Sequence, residues 1–152
     1  VTHDGNIIDE LIMDHREVED LFRRIEAFPS GHEDRKRLID EATIELVRHS
    51  IAEEQYLYPA VREHLADGDA MADKEIDDHA QVEKVLKALE GRSADDTQLD
   101  GLFMILKHAV TSHVREEEAN LFPQLQAACS AETLEKLGDT IRRAKRTAPT
   151  SW

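Results

Sequence analysis

Three features of the sequence predict an all-α fold, an up-down-up-down four-helix bundle closed by a short fifth helix. Charged residues make up 34% of the 152 residues while there are only 6 Gly and 4 Pro, a balance that suits long helices. Apolar residues recur at helical spacing through four long segments. The first half of the chain also repeats in the second at an offset of 64 residues. Asp14-His15 falls on Asp78-His79, Val18-Glu19 on Val82-Glu83, His49 on His113, Glu53-Glu54 on Glu117-Glu118, Leu57 on Leu121, and Tyr58-Pro59 on Phe122-Pro123. Two helical hairpins related by approximate two-fold symmetry follow.

The first helix runs from about Ile7 to Phe28, where Phe28-Pro-Ser-Gly31 breaks it. Ser30 with Glu33 has the form of a capping box for a second, reaching towards Leu65 with a kink at Pro59 and closed by Asp67-Gly68-Asp69. A third spans about Ala70 to Glu90 and ends at Gly91; Ser93 with Asp96 resembles the cap of a fourth running to about Ala127. Ser130 caps a basic fifth helix over about Ala131 to Thr147, and the last five residues are expected to fray. The whole is read as one domain, with the bundle at about 6–127 and the last helix at about 131–147.

The formal charge of −14 argues against nucleic acid, since only the short cluster Arg142-Arg143-Ala144-Lys145-Arg146 is basic. A single cysteine, Cys129, rules out an internal disulfide and Cys-based zinc or redox motifs. The longest apolar run, Leu102 to Leu106, is far short of the roughly 20 residues a membrane span needs. With no signal-like N-terminus, a cytoplasmic location is expected. The oligomeric state is not encoded in any pattern found.

At 100° per residue, His15 shares a face with Ile8, Leu11 and Phe22; His49 with Leu38, Ala42 and Leu46; His79 with Ile76, Val82 and Leu86; and His113 with Leu102, Leu106 and Ala109. Each long helix thus points one histidine inward. One such histidine is usually a hydrogen-bonded core residue. Four are different, because Glu53 and Glu117 follow His49 and His113 by four residues and so enter the same core, where an unpaired carboxylate is very costly. Cations on the bundle axis would turn these acids into ligands. Imidazole and carboxylate without thiolate suit iron, manganese or zinc, and six or more ligands exceed one tetrahedral zinc, which favours two redox-active metals bridged by carboxylates. No His-Glu-x-x-His string occurs, and Ile12, Leu46, Ile76 and Val110 stand where Glu-x-x-His pairs would need acids. His3, His32, His64 and His108 need no role.

The order His15, then His49-x-x-x-Glu53, then His79, then His113-x-x-x-Glu117, with its Asp-His pairs and Tyr-Pro and Phe-Pro turns, resembles the hemerythrin-like family over nearly all of residues 6–127. The resemblance implies two iron ions in a non-haem, oxo- or hydroxo-bridged centre, with Glu53 and Glu117 bridging and the histidines capping. Family members include oxygen carriers, oxygen or iron sensors, proteins of nitric-oxide stress, and peroxide-decomposing bacterial proteins. Hydrogen peroxide, nitric oxide and dioxygen are therefore the expected small-molecule partners.

Two departures from the oxygen carriers bear on activity. The carriers have a further histidine four residues after the third ligand, where this chain has Glu83. Glu83 and its repeat partner Glu19 are each read as ligand, proton relay, acceptor from a histidine N–H, or a carboxylate bent out to solvent. Tyr56, three residues after Glu53 and paired with Asn120 in the repeat, points within about 20° of His49. It is either a hydrogen-bonded core tyrosine or a phenolate ligand that would favour ferric iron. Tyr56 and Glu83 are accordingly the candidate catalytic residues of a catalase-like or peroxidase-like oxidoreductase. The competing readings are an oxygen, nitric oxide or iron sensor without turnover, and an interaction module that uses metal only to hold the bundle. Ala42, Ala52 and Ala109 are expected to leave room for a diatomic or peroxide.

Overall fold

The structure, a computed structural model, describes residues 5–146, so His3 and the segment beyond Arg146 lie outside it. The chain forms α1 (Ile7–Ala27), α2 (Glu33–Ala52), a π turn (Glu53–Leu57), α3 (Tyr58–His64), α4 (Gly68–Leu89), α5 (Leu99–Glu116), a second π turn (Glu117–Leu121), α6 (Phe122–Ala128) and α7 (Ala131–Lys145). Each π turn joins its neighbours without a break, so α2–α3 and α5–α6 are single long rods. With α1 and α4 they make the four-helix bundle, and α7 packs outside on α1. Among the described residues no helix is long and apolar enough to cross a membrane.

The helix starts differ locally from the motifs that announced them. Asn6 caps α1 by a reciprocal box with Asp9. His32, not Ser30, caps α2, its Nδ1 accepting from the Asp34 N–H at 3.0 Å, while the Ser30 hydroxyl donates instead to Asp100. Ser93 and Asp96 do not start α5. They form the turn before it, Asp96 receiving both Arg92 and the Gln98 N–H, and the helix opens only at Leu99. Ser130 caps α7 as expected, accepting from the Thr133 N–H.

Apolar side chains gather in two separate clusters along the bundle axis. One holds Val18, Leu21, Phe22, Leu38, Leu46, Val82, Leu86, Phe103, Leu106 and Val110. The other holds Ile7, Leu11, Leu57, Tyr58, Val61, Leu121, Phe122 and Leu125, and α7 joins it through Leu134 and Ile141. Between them, at one level in all four rods, lie His15, His49, His79 and His113, each buried. The core is thus split by a polar layer.

Close packing holds α7 in place. Arg142 donates to the Gly5 carbonyl and to buried Glu10, and Lys145 Nζ reaches Asp14 at 2.6 Å. Gly138 lies against the start of α1, where an added methyl would fall 2.5 Å from the Gly5 carbonyl oxygen. Alanine normally favours a helix over glycine by about 1 kcal/mol. At Gly138 the backbone clash reverses the sign, and Gly138→Ala is expected to cost about 1–3 kcal/mol. Gly101 in α5 meets nothing within 4 Å, so Gly101→Ala should raise stability. Thermal melts of the two variants check this opposition.

Candidate metal centre

The π turns create the centre. In an α-helix the residues above Glu53 on its face would be those three and four positions later, but here the Tyr58 N–H bonds to the Glu53 carbonyl, five residues back. The second turn does the same between Phe122 and Glu117. The widened turn rotates Tyr56 off the inward face and puts Tyr58 on it. Pro59 and Pro123 follow directly and can donate no N–H to the α-helical ladder, which favours the break.

Glu53 and Glu117 are fully buried, and each spans the axis with one oxygen towards each histidine pair. Glu53 Oε2 lies 3.3 Å from His49 Nε2 and Oε1 2.9 Å from His79 Nε2. Glu117 Oε1 lies 3.2 Å from His15 Nε2 and Oε2 3.3 Å from His113 Nε2. His15 Nε2 and His49 Nε2 are 3.2 Å apart. Potential ligand atoms of His15, His49, Glu53 and Glu117 all lie within 4.8 Å of one another, as do those of Glu53, His79 and His113, and those of Glu75, His113 and Glu117. The structure thus brings together every histidine and both glutamates singled out from the sequence.

Tyr58, not Tyr56, is the tyrosine at the centre. Tyr58 Oη lies 3.1 Å from Glu53 Oε1, 3.0 Å from Glu117 Oε2 and 3.0 Å from His79 Nε2. Tyr56 is half-buried against the apolar cluster on that side and is not at the carboxylates. Glu83 and Glu19 also stay outside. Glu83 pairs with Lys87 at 2.9 Å and Glu19 with Arg16 at 2.6 Å, because each has a cation one turn away at the surface. Glu75, passed over in the sequence, is buried beside His113 instead.

Every inward histidine is held from behind by a carboxylate. His49 Nδ1 meets Asp14 at 2.9 Å and His113 Nδ1 meets Asp78 at 3.4 Å. His15 Nδ1 meets Glu118 at 2.6 Å and His79 Nδ1 meets Glu54 at 2.8 Å. These partners fix each ring so that Nε2 faces the axis. Three are themselves tied to surface cations, Asp14 to Lys145, Asp78 to Lys74 and Glu118 to Arg16. The repeated Asp-His and Glu-Glu pairs were the sequence signal for these residues.

The electrostatics test whether cations fit. Burial opposes charge on His49, yet Glu53 and Asp14 outweigh it and push its imidazole up to about 10. His113 is likewise driven well above its ordinary range against burial, by Glu117 and Asp78. Burial would raise Glu53, but His49, His113 and His79 hold it well below the ordinary carboxylate range. Burial, with the Glu53 and Glu117 charges, forces Tyr58 well above its ordinary value. Burial and the bond to Glu116 bring Glu75 up to about 7, against the pull of His113. The carboxylates thus recruit protons onto His49, His79 and His113, which is the role a metal ion takes over when it binds. Even so, Glu53 Oε2, Glu117 Oε1 and His113 Nε2 have no hydrogen-bond partner. Orphaned ligand atoms in an N- and O-donor set fit metal ions.

A small cavity of about 20 Å³ opens on the other side of the histidines, lined by all four rings with Val18, Leu46, Ser50, Val82, Val110 and Val114. It is large enough for about one water-sized molecule. Valines, not the alanines expected from the sequence, shape it.

Glu53→Gln and Glu117→Gln should each abolish full metal loading. Asp14→Asn and Glu118→Gln should lower metal affinity by roughly 10- to 100-fold, the usual effect of removing a partner behind a ligating histidine. Tyr56→Phe and Glu83→Gln should leave metal content unchanged. Elemental analysis after gel filtration distinguishes the three groups.

The comparisons agree with this geometry. The family model described as "Hemerythrin HHE cation binding domain" matches residues 6–125. An uncharacterized hemerythrin-like protein from Schizosaccharomyces pombe is 26% identical over 145 residues, which cover 95% of this chain and 71% of that protein. A DNA nickase from Nostoc sp. is 28% identical over 142 residues, covering 93% of this chain but only 40% of the nickase. The crystal structure of a hemerythrin HHE cation binding domain-containing protein from Mycobacterium kansasii superposes with a TM-score of 0.81 at 25% identity, over 93% of this chain and 85% of that one. With four axial histidines, two buried glutamates and a family match over most of its length, the chain belongs to the hemerythrin HHE cation binding domain family.

Proposed function

We propose that the chain is a non-haem di-iron oxidoreductase that decomposes hydrogen peroxide and reacts with nitric oxide. The observation that carries this reading is Tyr58, whose phenol lies within 3.1 Å of both buried carboxylates and His79, in reach of a metal ion held there. The phenolate role considered for Tyr56 thereby passes to Tyr58. Two iron ions, held by His15, His49, Glu53, His79, His113, Glu117 and Tyr58, would supply the electron steps by which one peroxide is oxidised to dioxygen and a second reduced to water.

The chain's own residues prepare that chemistry. Asp14, Asp78, Glu54 and Glu118 hold the four rings in the orientation that aims Nε2 at the axis. The two apolar clusters keep bulk water away from the carboxylates. The cavity beside the histidines admits one small molecule. The first peroxide gives up two protons and two electrons and the second takes up two of each, so proton carriers must lie near. Tyr58, whose O–H lies within 3.1 Å of both buried carboxylates and of His79 Nε2, is the nearest such group.

The cavity favours a second reading, a module that binds oxygen, nitric oxide or iron without turnover, because a small, mostly apolar space also suits a diatomic. The charge of −14 lends no support to carrying DNA nicking over from the Nostoc relative.

Iron-loaded protein is expected to hold two irons per chain and to evolve oxygen continuously from peroxide, one dioxygen per two peroxides, on an oxygen electrode. Tyr58→Phe should bleach any phenolate-to-iron absorption, whereas Tyr56→Phe should not. A stable nitric oxide adduct without oxygen evolution would favour the sensing module.

A further inference from the structure

The carboxylates behind His49 and His113 are each steadied by a lysine, but the two lysines come from different places in the chain. In the second half Lys74 stands one turn before Asp78 on α4 and reaches it at 3.1 Å. The 64-residue offset puts Glu10 where that lysine would be, so α1 carries an acid one turn before Asp14. Like charges at this spacing oppose each other along a helix face. α7, which follows the second copy of the repeat, supplies cations to both: Arg142 meets Glu10 at 2.5 Å and Lys145 Nζ meets Asp14 at 2.6 Å.

Delivery from α7 changes what the contact does. Asp14 divides its two oxygens, Oδ1 to Lys145 and Oδ2 to His49 Nδ1, whereas Asp78 turns Oδ2 to both Lys74 and His113. Under α7 the Asp14 side chain is 10% exposed, against 35% for Asp78. A carboxylate so far removed from water depends on its cation more than an exposed one does. Beside it lies a depression of about 190 Å³, lined by Asp14, Glu17, Glu45, Arg48, His49 and Lys145, into which the carboxylate can swing once Lys145 is gone. α7 also packs on α2 and on the first π turn, the segments that carry His49 and Glu53.

We propose that Lys145 is a positioning residue for His49, so that the centre holds metal on this side only as tightly as α7 is docked. Lys145 acts through Asp14: the ammonium fixes the carboxylate, and the carboxylate fixes the ring. Coupling of this kind is reciprocal, so a metal ion bound at His49 holds α7 down by the same factor. The inference rests on the metal reading of the centre and not on its peroxide chemistry.

The sign of the effect separates positioning from plain electrostatics, because removing a cation near a cation site would by charge alone strengthen binding. Metal-free wild type, Lys145→Met, Lys145→Arg, Asp14→Asn and the double variant Asp14→Asn/Lys145→Met are titrated with Co²⁺ by calorimetry. Lys145→Met should weaken binding by roughly three- to tenfold, less than the roughly 10- to 100-fold expected when the histidine's own partner is lost, and Lys145→Arg should restore most of it. In the Asp14→Asn background Lys145→Met should add nothing, since its route to His49 is already cut. In hydrogen-exchange measurements Co²⁺ should slow the amides of α7 in wild type and not in Lys145→Met. Binding by Lys145→Met as tight as wild type or tighter would overturn the proposal, as would a loss that adds in full to that of Asp14→Asn, or α7 amides indifferent to Co²⁺ in wild type. Should Lys145→Met fail to fold, judged by circular dichroism, Lys145→Gln carries the same comparison with the same outcomes. Wild type that takes up no Co²⁺ would remove the metal reading and this inference together, whereas Co²⁺ uptake unaltered by Lys145→Met would remove this inference alone.

Discussion

Two carboxylates with no access to water govern this molecule. Glu53 and Glu117 sit on the axis of the bundle, and moving even one such charge from water into an apolar core costs several kcal/mol unless positive charge meets it. His49, His79 and His113 answer that demand by drawing in protons, and oxygens and a nitrogen of the layer are left without a hydrogen bond even then. The polar layer that divides the core into two apolar clusters follows from the same demand. Without cations at the axis this layer is a defect; with them it becomes the keystone that joins both halves of the core.

The support for this layer extends to the surface in stages. A carboxylate stands behind each ring, and Lys145, Lys74 and Arg16 stand behind three of the carboxylates. Lys145 lies on α7, so the last helix is coupled to His49 through Asp14. A helix that looks peripheral from its basic sequence thereby bears on the orientation of a ligand. Arg142, bound to Glu10 and the Gly5 carbonyl, fixes the angle at which α7 makes that contact.

The fold and the axial placing of the four histidines were legible because both are written as periodicity. The histidines lie mid-stripe on regular helices, and the 64-residue offset shows that they recur as a set. The errors cluster where regularity stops. Tyr56 was aimed inward by counting 100° per residue across a stretch that is a π turn, and the wider turn gives the place to Tyr58. The Tyr58-Pro59 and Phe122-Pro123 pairs marked that irregularity without revealing its direction. Glu83, left open in the sequence between a role at the centre and a carboxylate bent out to solvent, takes the outward course because Lys87 one turn on pairs with it. Glu75 was missed because the repeat drew attention to what the two halves share, whereas Glu75 belongs to what they do not.

That difference between the halves bears most directly on chemistry. A centre built from two identical hairpins would offer two equivalent positions, each with two histidines and two shared carboxylates. Here Tyr58 sets a phenol oxygen beside the His79 position, and a hard oxygen donor of that kind would stabilise the more oxidised, more highly charged metal. Phe122 and Leu11 add none to the other. In the proposed reading the Tyr58 oxygen tunes the centre from one side, and the cavity of about 20 Å³ on the other, lined by all four histidines, meets the small molecule. Reversible oxygen storage instead asks the centre to return readily to its reduced state, which a phenolate opposes.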